Sequence, residues 1–142
     1  MNDKFFLDTN ILIYIFDDSA PLKQQCAKNL IETALREGRG CISYQVIQEC
    51  LNFLVQKAQK KASIADANLF LTTVLEPLCQ LSLPNLSIYR EALHIKEKWK
   101  YGFYDSIIIA SALRLNCKIL YSEDMHHQQR IDHLTIRNPF NE

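Results

Sequence analysis

The chain has 142 residues, the length of one ordinary domain, and 48% hydrophobic against 23% charged residues supply ample apolar material for a packed core. Only three Gly and four Pro exclude a collagen-like, disordered or turn-rich all-β chain. Sixteen Lys plus Arg balance sixteen Asp plus Glu, which excludes a grip on nucleic acid or acidic membrane through bulk positive charge but leaves room for a local basic patch.

In chain order, Phe5-Phe6-Leu7 is a short apolar run that stops abruptly at Asp8-Thr9-Asn10, as a buried strand does at a sheet edge. Leu22, Cys26, Leu30 and Ala34, with Ala27, Ile31 and Leu35 beside them, repeat with helical spacing until Gly38 and Gly40 stop the helix. Cys41-Ile42-Ser43 reads as a second strand. Val46, Ile47, Cys50, Leu51, Leu54, Val55 and Ala58 follow as a helix. Ser63 is placed to cap a further helix through about Leu75, with Asp66 in its first turn. Leu78 to Leu83 reads as a third strand, closed by Pro84-Asn85. Ile88, Ala92, Ile95 and Trp99 make the next amphipathic helix, ended by Gly102, and Asp105 opens another through Leu115. Cys117 to Tyr121 is a fourth strand and Leu134-Thr135-Ile136 a fifth, before Asn138-Pro139. Short apolar strands alternating with helices predict an α/β sandwich with a mostly parallel sheet. No repeat or linker divides the chain, so residues 1–142 are expected to form a single domain.

The five cysteines (Cys26, Cys41, Cys50, Cys79 and Cys117) are odd in number, widely spaced and without a C-x-x-C pair, which fits buried reduced thiols rather than a zinc site or disulfide framework. Met1-Asn2-Asp3-Lys4 leads into only three apolar residues before Asp8, so no signal-peptide core is expected. The longest apolar runs, Ile11 to Phe16 and Ile107 to Ala110, fall far short of the ~20 residues of a membrane span. The expectation is a soluble cytoplasmic domain with no membrane partner.

Ligands of parallel α/β folds sit beyond the carboxyl ends of the strands, so acids at those ends matter most. Asp8 follows the first strand. It serves equally well as a turn or helix cap, but Thr9 and Asn10 add polar groups placed to orient its carboxylate. Glu49 lies in Val46-Ile47-Gln48-Glu49-Cys50-Leu51. Taken alone it is a solvated helix position, yet it stands at the border of the apolar stripe, within reach of a cleft. Asp105 opens the run Asp105-Ser106-Ile107-Ile108-Ile109-Ala110-Ser111-Ala112-Leu113. An acid in a first turn suits the helix dipole, but at the mouth of a buried helix it is costly without a partner or a metal. Asp124, in Tyr121-Ser122-Glu123-Asp124, follows the fourth strand as Asp8 follows the first. Glu123 and Asp124 point apart in an extended segment, so Asp124 is the favoured site acid and Glu123 an outer ligand.

Four acids converging at one sheet edge raise one another's pKa values, and a divalent cation relieves that repulsion. All-oxygen ligation favours Mg²⁺ or Mn²⁺ over zinc, and such a site positions a phosphodiester and activates a water. With four acids set aside, twelve face sixteen bases, and the remaining surface is near +4. Lys57, Lys60 and Lys61, then Lys96, Lys98 and Lys100, then Arg114, Arg130 and Arg137 supply it, although Lys runs on helices are usually solvated faces. His126-His127 reads as an exposed loop pair without partners, and Trp99, Phe103 and Tyr104 as packing residues. No G-x-S-x-G elbow marks nucleophilic hydrolase chemistry.

Phe6-Leu7-Asp8-Thr9-Asn10-Ile11-Leu12, Glu49 in a helix, Asp105 to Ala112, and Tyr121-Ser122-Glu123-Asp124 together resemble the PIN-domain family, and within it the small VapC-like ribonuclease toxins of toxin–antitoxin pairs. Leu134 to Phe140 also looks like the family's last strand and tail, so the resemblance runs from about residue 4 to residue 140. It implies a three-layer α/β/α sandwich with a central, mostly parallel five-stranded sheet and a Mg²⁺- or Mn²⁺-dependent endoribonuclease activity on RNA. Asp8 and Asp105 match the primary metal ligands. Glu49 matches a third acid that binds metal through water or acts as general base, and Asp124 a fourth linked to a second metal or a bound water. Thr9 and Asn10, with Ser122 and Glu123, match positions that orient the ligands. Met125-His126-His127-Gln128-Gln129 lacks the further acid or aromatic of many relatives. The resemblance also implies a homodimer and a small antitoxin whose tail occupies the cleft. The alternative is a non-cleaving PIN-fold module that binds RNA or protein, which a degenerate acid set would favour. A phosphoaspartyl receiver ranks lower, because Arg137-Asn138-Pro139 stands where a Lys after a late strand is needed and no D-x-D follows the first strand.

Overall fold

The computed structural model describes residues 3–78 and 85–141. Five short strands form one sheet: β1 (Phe5–Leu7), β2 (Gly40–Cys41), β3 (Ile119–Tyr121), β4 (Arg130–Ile131) and β5 (Leu134–Arg137). Their order is β2-β1-β3-β5-β4. The first four run parallel, with Phe6 opposite both Cys41 and Leu120, and Leu120 opposite Ile136. Only β4 is antiparallel, closing a hairpin with β5. The α/β sandwich on a mostly parallel five-stranded sheet is therefore the observed architecture.

The helices are α1 (Thr9–Ile13), α2 (Pro21–Glu37), α3 (Tyr44–Asn52), α4 (Ile64–Phe70), α5 (Glu76–Leu78), α6 (Leu86–Trp99) and α7 (Phe103–Arg114). Helices α3 and α4 each run on into a wider π turn, Phe53–Lys57 and Leu71–Leu75. Ser63 caps α4 by accepting the Asp66 N–H at 3.1 Å, and Asn85 caps α6 by accepting that of Ile88 at 3.2 Å. Gly38 ends α2 in the left-handed region at φ 67°, where a side chain is disfavoured.

Two elements differ from the sequence reading. Leu78, the expected start of a third strand, ends α5, and residues 79–84 lie outside the described residues. Among the described residues the sheet also contains β4, which the sequence reading did not name: two residues, one exposed and one buried, too short for periodicity to reveal. The expected helix from Asp105 begins two residues earlier, so Asp105 sits in its first turn.

Phe6, Leu7, Ile11, Leu12, Ile42, Ile108, Ile109, Leu120, Leu134 and Ile136 are completely buried, each contributing about 1.5–3 kcal/mol of transfer free energy. Helix α7 is buried continuously from Ser106 to Leu113. Its two serines are satisfied inside the helix: Ser106 Oγ donates to the Gly102 carbonyl and Ser111 Oγ to that of Ile107, both at 2.8 Å.

Gly40 lies where β2 meets α2. A Cβ there would overlap that of Ala34 and stand 3.1 Å from the Ala34 Cα and 3.3 Å from Leu78 Cδ2. Gly40→Ala is therefore expected to destabilise the fold by about 1–3 kcal/mol, since a helix backbone cannot yield as a side-chain tip can. Urea denaturation checks this, and an unchanged midpoint would mean that α2 packs less closely than described.

The order of the strands fixes the position of the site. From β1 the chain moves to β2 on one side, then returns past β1 to β3 on the other. The carboxyl ends of β1 and β3 are thus neighbours at a point where the winding reverses, the place where such sheets bind ligands.

Candidate active site

Both ladders of β3 continue past the strands: the Asp8 N–H donates to the Tyr121 carbonyl at 3.0 Å, extending β1–β3, and the Ser122 N–H to that of Arg137 at 3.0 Å, extending β3–β5. Asp8 and Ser122 consequently stand side by side at the sheet edge. Ser122 Oγ donates to Asp8 Oδ2 at 2.7 Å, and Asp8 Oδ1 accepts the Thr9 N–H at 2.8 Å. Asp8 is both the N-cap of α1 and a strand-end acid, so the two roles that the sequence leaves open are filled at once. It is only 6% exposed. Burial pushes its carboxyl up to about 7, against the pull of the Ser122 and Thr9 hydrogen bonds and with the help of the Asp105 and Glu49 charges.

Glu49 reaches this group from α3, as its position at the border of the apolar stripe suggests. Its Oε1 accepts the Thr9 hydroxyl at 2.5 Å, so neighbouring residues of one chain segment hold Asp8 and Glu49. Asp105, half-buried in the first turn of α7, has no side-chain hydrogen bond among the described residues. Burial raises its pKa first, and then the charges of Asp124 and Glu49. Asp124 is exposed, and Asn10 Nδ2 donates to its Oδ2 at 3.1 Å. The Asn10 side chain meanwhile accepts the Glu123 N–H at 3.3 Å and so clamps the loop after β3.

The structure thus brings Asp8, Glu49, Asp105 and Asp124 into one electrostatic neighbourhood, with Thr9, Asn10 and Ser122 holding three of them. Glu123 does not join them. Its carboxylate accepts Tyr14 Oη at 2.6 Å and Lys23 Nζ at 2.5 Å. Burial works to raise its pKa, but these two bonds and the Lys23 charge together hold it below the usual range. It anchors α2 to the loop that carries Asp124.

Among the described residues, no three His, Cys, Asp or Glu side chains close around a common point, so the acids form an open cluster. No salt bridge between described residues reaches any of the four. A half-buried Asp105 without a partner, beside carboxylates that raise its proton affinity, is the setting that a hard cation relieves. Asp8 accepts one hydrogen bond on each oxygen and keeps lone pairs for a further ligand. The all-oxygen donor set fits Mg²⁺ or Mn²⁺. Burial first, then the Glu49 and Asp8 charges, push the Cys50 thiol up, which disfavours its thiolate.

Several residues at the site carry no signal that the sequence reading used. Gln45 Nε2 donates to Glu49 Oε2 at 3.4 Å and to the Tyr104 carbonyl at 3.3 Å, linking α3 to α7. Its spacing of four from Glu49 on one helix was the available clue. Tyr14 and Lys23 meet Glu123 only through the fold. The histidines are not free: the His126 N–H donates to Tyr101 Oη at 3.2 Å, and His127 Nδ1 accepts the Asn138 N–H at 2.9 Å. Trp99 packs against the core as expected, whereas Phe103 and Tyr104 are exposed.

Compared with known proteins, the chain matches the family model of the PIN domain over residues 5–134. No curated protein matches. Solved structures similar in fold include the following three. A toxin–antitoxin complex from Klebsiella pneumoniae has 17% identity and a TM-score of 0.67, over 96% of this chain and 98% of that one. VapBC2 from Rickettsia felis, bound to a DNA fragment from their promoter, has 22% identity and a TM-score of 0.63, over 94% and 97%. VapC20 of Mycobacterium tuberculosis, a sarcin-ricin loop cleaving toxin, has 19% identity and a TM-score of 0.59, over 85% and 90%.

Proposed function

The chain belongs to the PIN domain family, and from that premise we propose that it is a Mg²⁺- or Mn²⁺-dependent endoribonuclease, the toxin of a toxin–antitoxin pair. The observation that carries this reading is the pair Asp8 and Asp105. One lies at a strand end and one in a first helical turn; burial and then the Asp105 charge raise the proton affinity of Asp8, burial and then Asp124 and Glu49 raise that of Asp105, and no salt bridge between described residues neutralises either. The Mycobacterium tuberculosis neighbour, a sarcin-ricin loop cleaving toxin, supports RNA as the substrate. The Klebsiella and Rickettsia complexes support an antitoxin partner. A homodimer and a cytoplasmic location complete the reading, and among the described residues no helix is long and apolar enough to cross a membrane.

Asp8 and Asp105 would hold the ion, with Glu49 and Asp124 beside them. A divalent cation there supplies charge neutralisation at the scissile phosphate and lowers the pKa of an attacking water. The protein does the rest. Ser122 and the Thr9 N–H fix the Asp8 carboxylate, so it meets a ligand in one orientation. The Thr9 hydroxyl holds Glu49 Oε1 and leaves Oε2, touched only loosely by Gln45, to accept the proton of the attacking water. Asn10 keeps Asp124 at the rim.

The test is cleavage of a mixed RNA pool with Mg²⁺ or Mn²⁺ against the same reaction with EDTA. Cutting that appears with metal and stops with EDTA is expected. Metal-independent binding without cutting, by folded protein, would favour the non-cleaving module instead.

A further inference from the structure

The turn between α6 and α7 lies at the acid end of the molecule, because Asp105 is in the first turn of α7. Two aromatic residues immediately precede that acid. Phe103 is 37% and Tyr104 67% exposed, and Tyr104 is the most exposed ring among the described large hydrophobic residues. Their rings meet edge to face, with centroids 5.7 Å apart and planes at 62°, so Phe103 limits how the Tyr104 ring can turn. The Tyr104 backbone is fixed too, since Gln45 bridges its carbonyl to Glu49. The ring is therefore presented to solvent on a backbone tied to the acid cluster. The last turn of α6 and its cap add Lys96, Lys98 and Lys100, all exposed, and no salt bridge between described residues engages them.

We propose that Tyr104, braced by Phe103, is a stacking platform for an unpaired base of single-stranded RNA beside the scissile phosphate, with the lysines of the α6 end holding neighbouring phosphates. The proposal rests on the nuclease reading and narrows its substrate class. An aromatic face accepts any base, but only one whose own face is not already covered in a duplex, so the platform selects unpaired nucleotides rather than a sequence. The lysines add attraction that falls with salt.

The experiment measures the binding of a short fluorescein-labelled single-stranded RNA of mixed sequence by anisotropy, with Ca²⁺ as the divalent ion. An abasic ribose–phosphate oligomer of the same length runs beside it. Tyr104→Ala is expected to weaken RNA binding by about five- to a hundredfold, and Tyr104→Phe to leave it within roughly twofold. Wild type should bind the abasic oligomer about as weakly as Tyr104→Ala binds RNA, and Tyr104→Ala should not distinguish the two oligomers. Equal binding of RNA by wild type and Tyr104→Ala, or of RNA and abasic chain by wild type, overturns the platform. Cleavage of the RNA pool in Mn²⁺ separates the two readings. If Tyr104→Ala cuts with the wild-type kcat/KM, the platform alone fails. If wild type neither binds nor cuts, the nuclease reading fails and the platform with it.

Discussion

Asp8→Asn will lose RNA cleavage by about a thousandfold or more, and in the absence of metal it will melt at a higher temperature than wild type. The first effect follows from the role of the ion: stabilisation of charge in the transition state is worth several kcal/mol, and each 1.36 kcal/mol is tenfold in rate. The amide keeps the shape of Asp8 but removes its charge. The second effect follows from burial. Asp8 is almost fully enclosed, and ionising it at neutral pH costs free energy that its hydrogen bonds only partly return. An Asn can keep both contacts, its oxygen accepting the Thr9 N–H and its amide donating to Ser122 Oγ once that hydroxyl turns. Charge is thus removed without orphaning a neighbour, and a rise in Tm of about 5 °C or more is expected at neutral pH. Calorimetry in EDTA and initial cleavage rates in Mn²⁺ check the two halves. Residual cleavage within tenfold of wild type would remove Asp8 from the machinery, and a lower Tm would mean that its carboxylate is a net stabiliser.

That a single acid both ends a strand and caps a helix explains why the candidate site was legible before the fold. Asp8, Asp105 and Asp124 each interrupt or open an apolar segment, and an acid is conspicuous against such a background. Their convergence then follows from strand order alone, since β1 and β3 are neighbours and α7 leads into β3. Glu49 was legible only by its position on the apolar border of α3. The Thr9 hydroxyl that holds it comes from a residue forty positions away, and no local pattern encodes such a contact. Glu123 shows the limit of local reasoning. Alternation correctly turns it away from Asp124, but its partners are Tyr14 and Lys23, more than a hundred and exactly one hundred positions away. Likewise β4 is visible only as the partner of β5, because two residues have no period of their own.

The metal-free protein will lose stability as pH rises from about 4 to about 7, and Mg²⁺ will restore it at the alkaline end but not at the acid end. The sign comes from Asp8, whose carboxyl ordinarily titrates at 3.8 and is raised to about 7 in the fold. Between those values the native state holds a proton that the unfolded chain has released, so stability falls with pH across that window and levels off above it. A shift of this size corresponds to about 4 kcal/mol, an upper figure because the site can relax and admit water. Asp105, raised first by burial and then by Asp124 and Glu49, acts in the same direction. The Lys23–Glu123 bond acts oppositely. Glu123 is held below its ordinary 4.5, so its contribution is present above that pH and lost on going further acid, at and below the acid edge of the Asp8 window. Mg²⁺ competes with protons for the same oxygens, so its stabilisation grows as the carboxyls ionise. Urea midpoints measured in EDTA and in Mg²⁺ across this range give both curves. The Asp8→Asn protein should show a flatter metal-free curve and a smaller response to Mg²⁺. A metal-free stability that stays level or climbs between about pH 5 and pH 7 would show that Asp8 titrates in the fold as it does in water, and the electrostatic case for a cation at the cluster would fall with it.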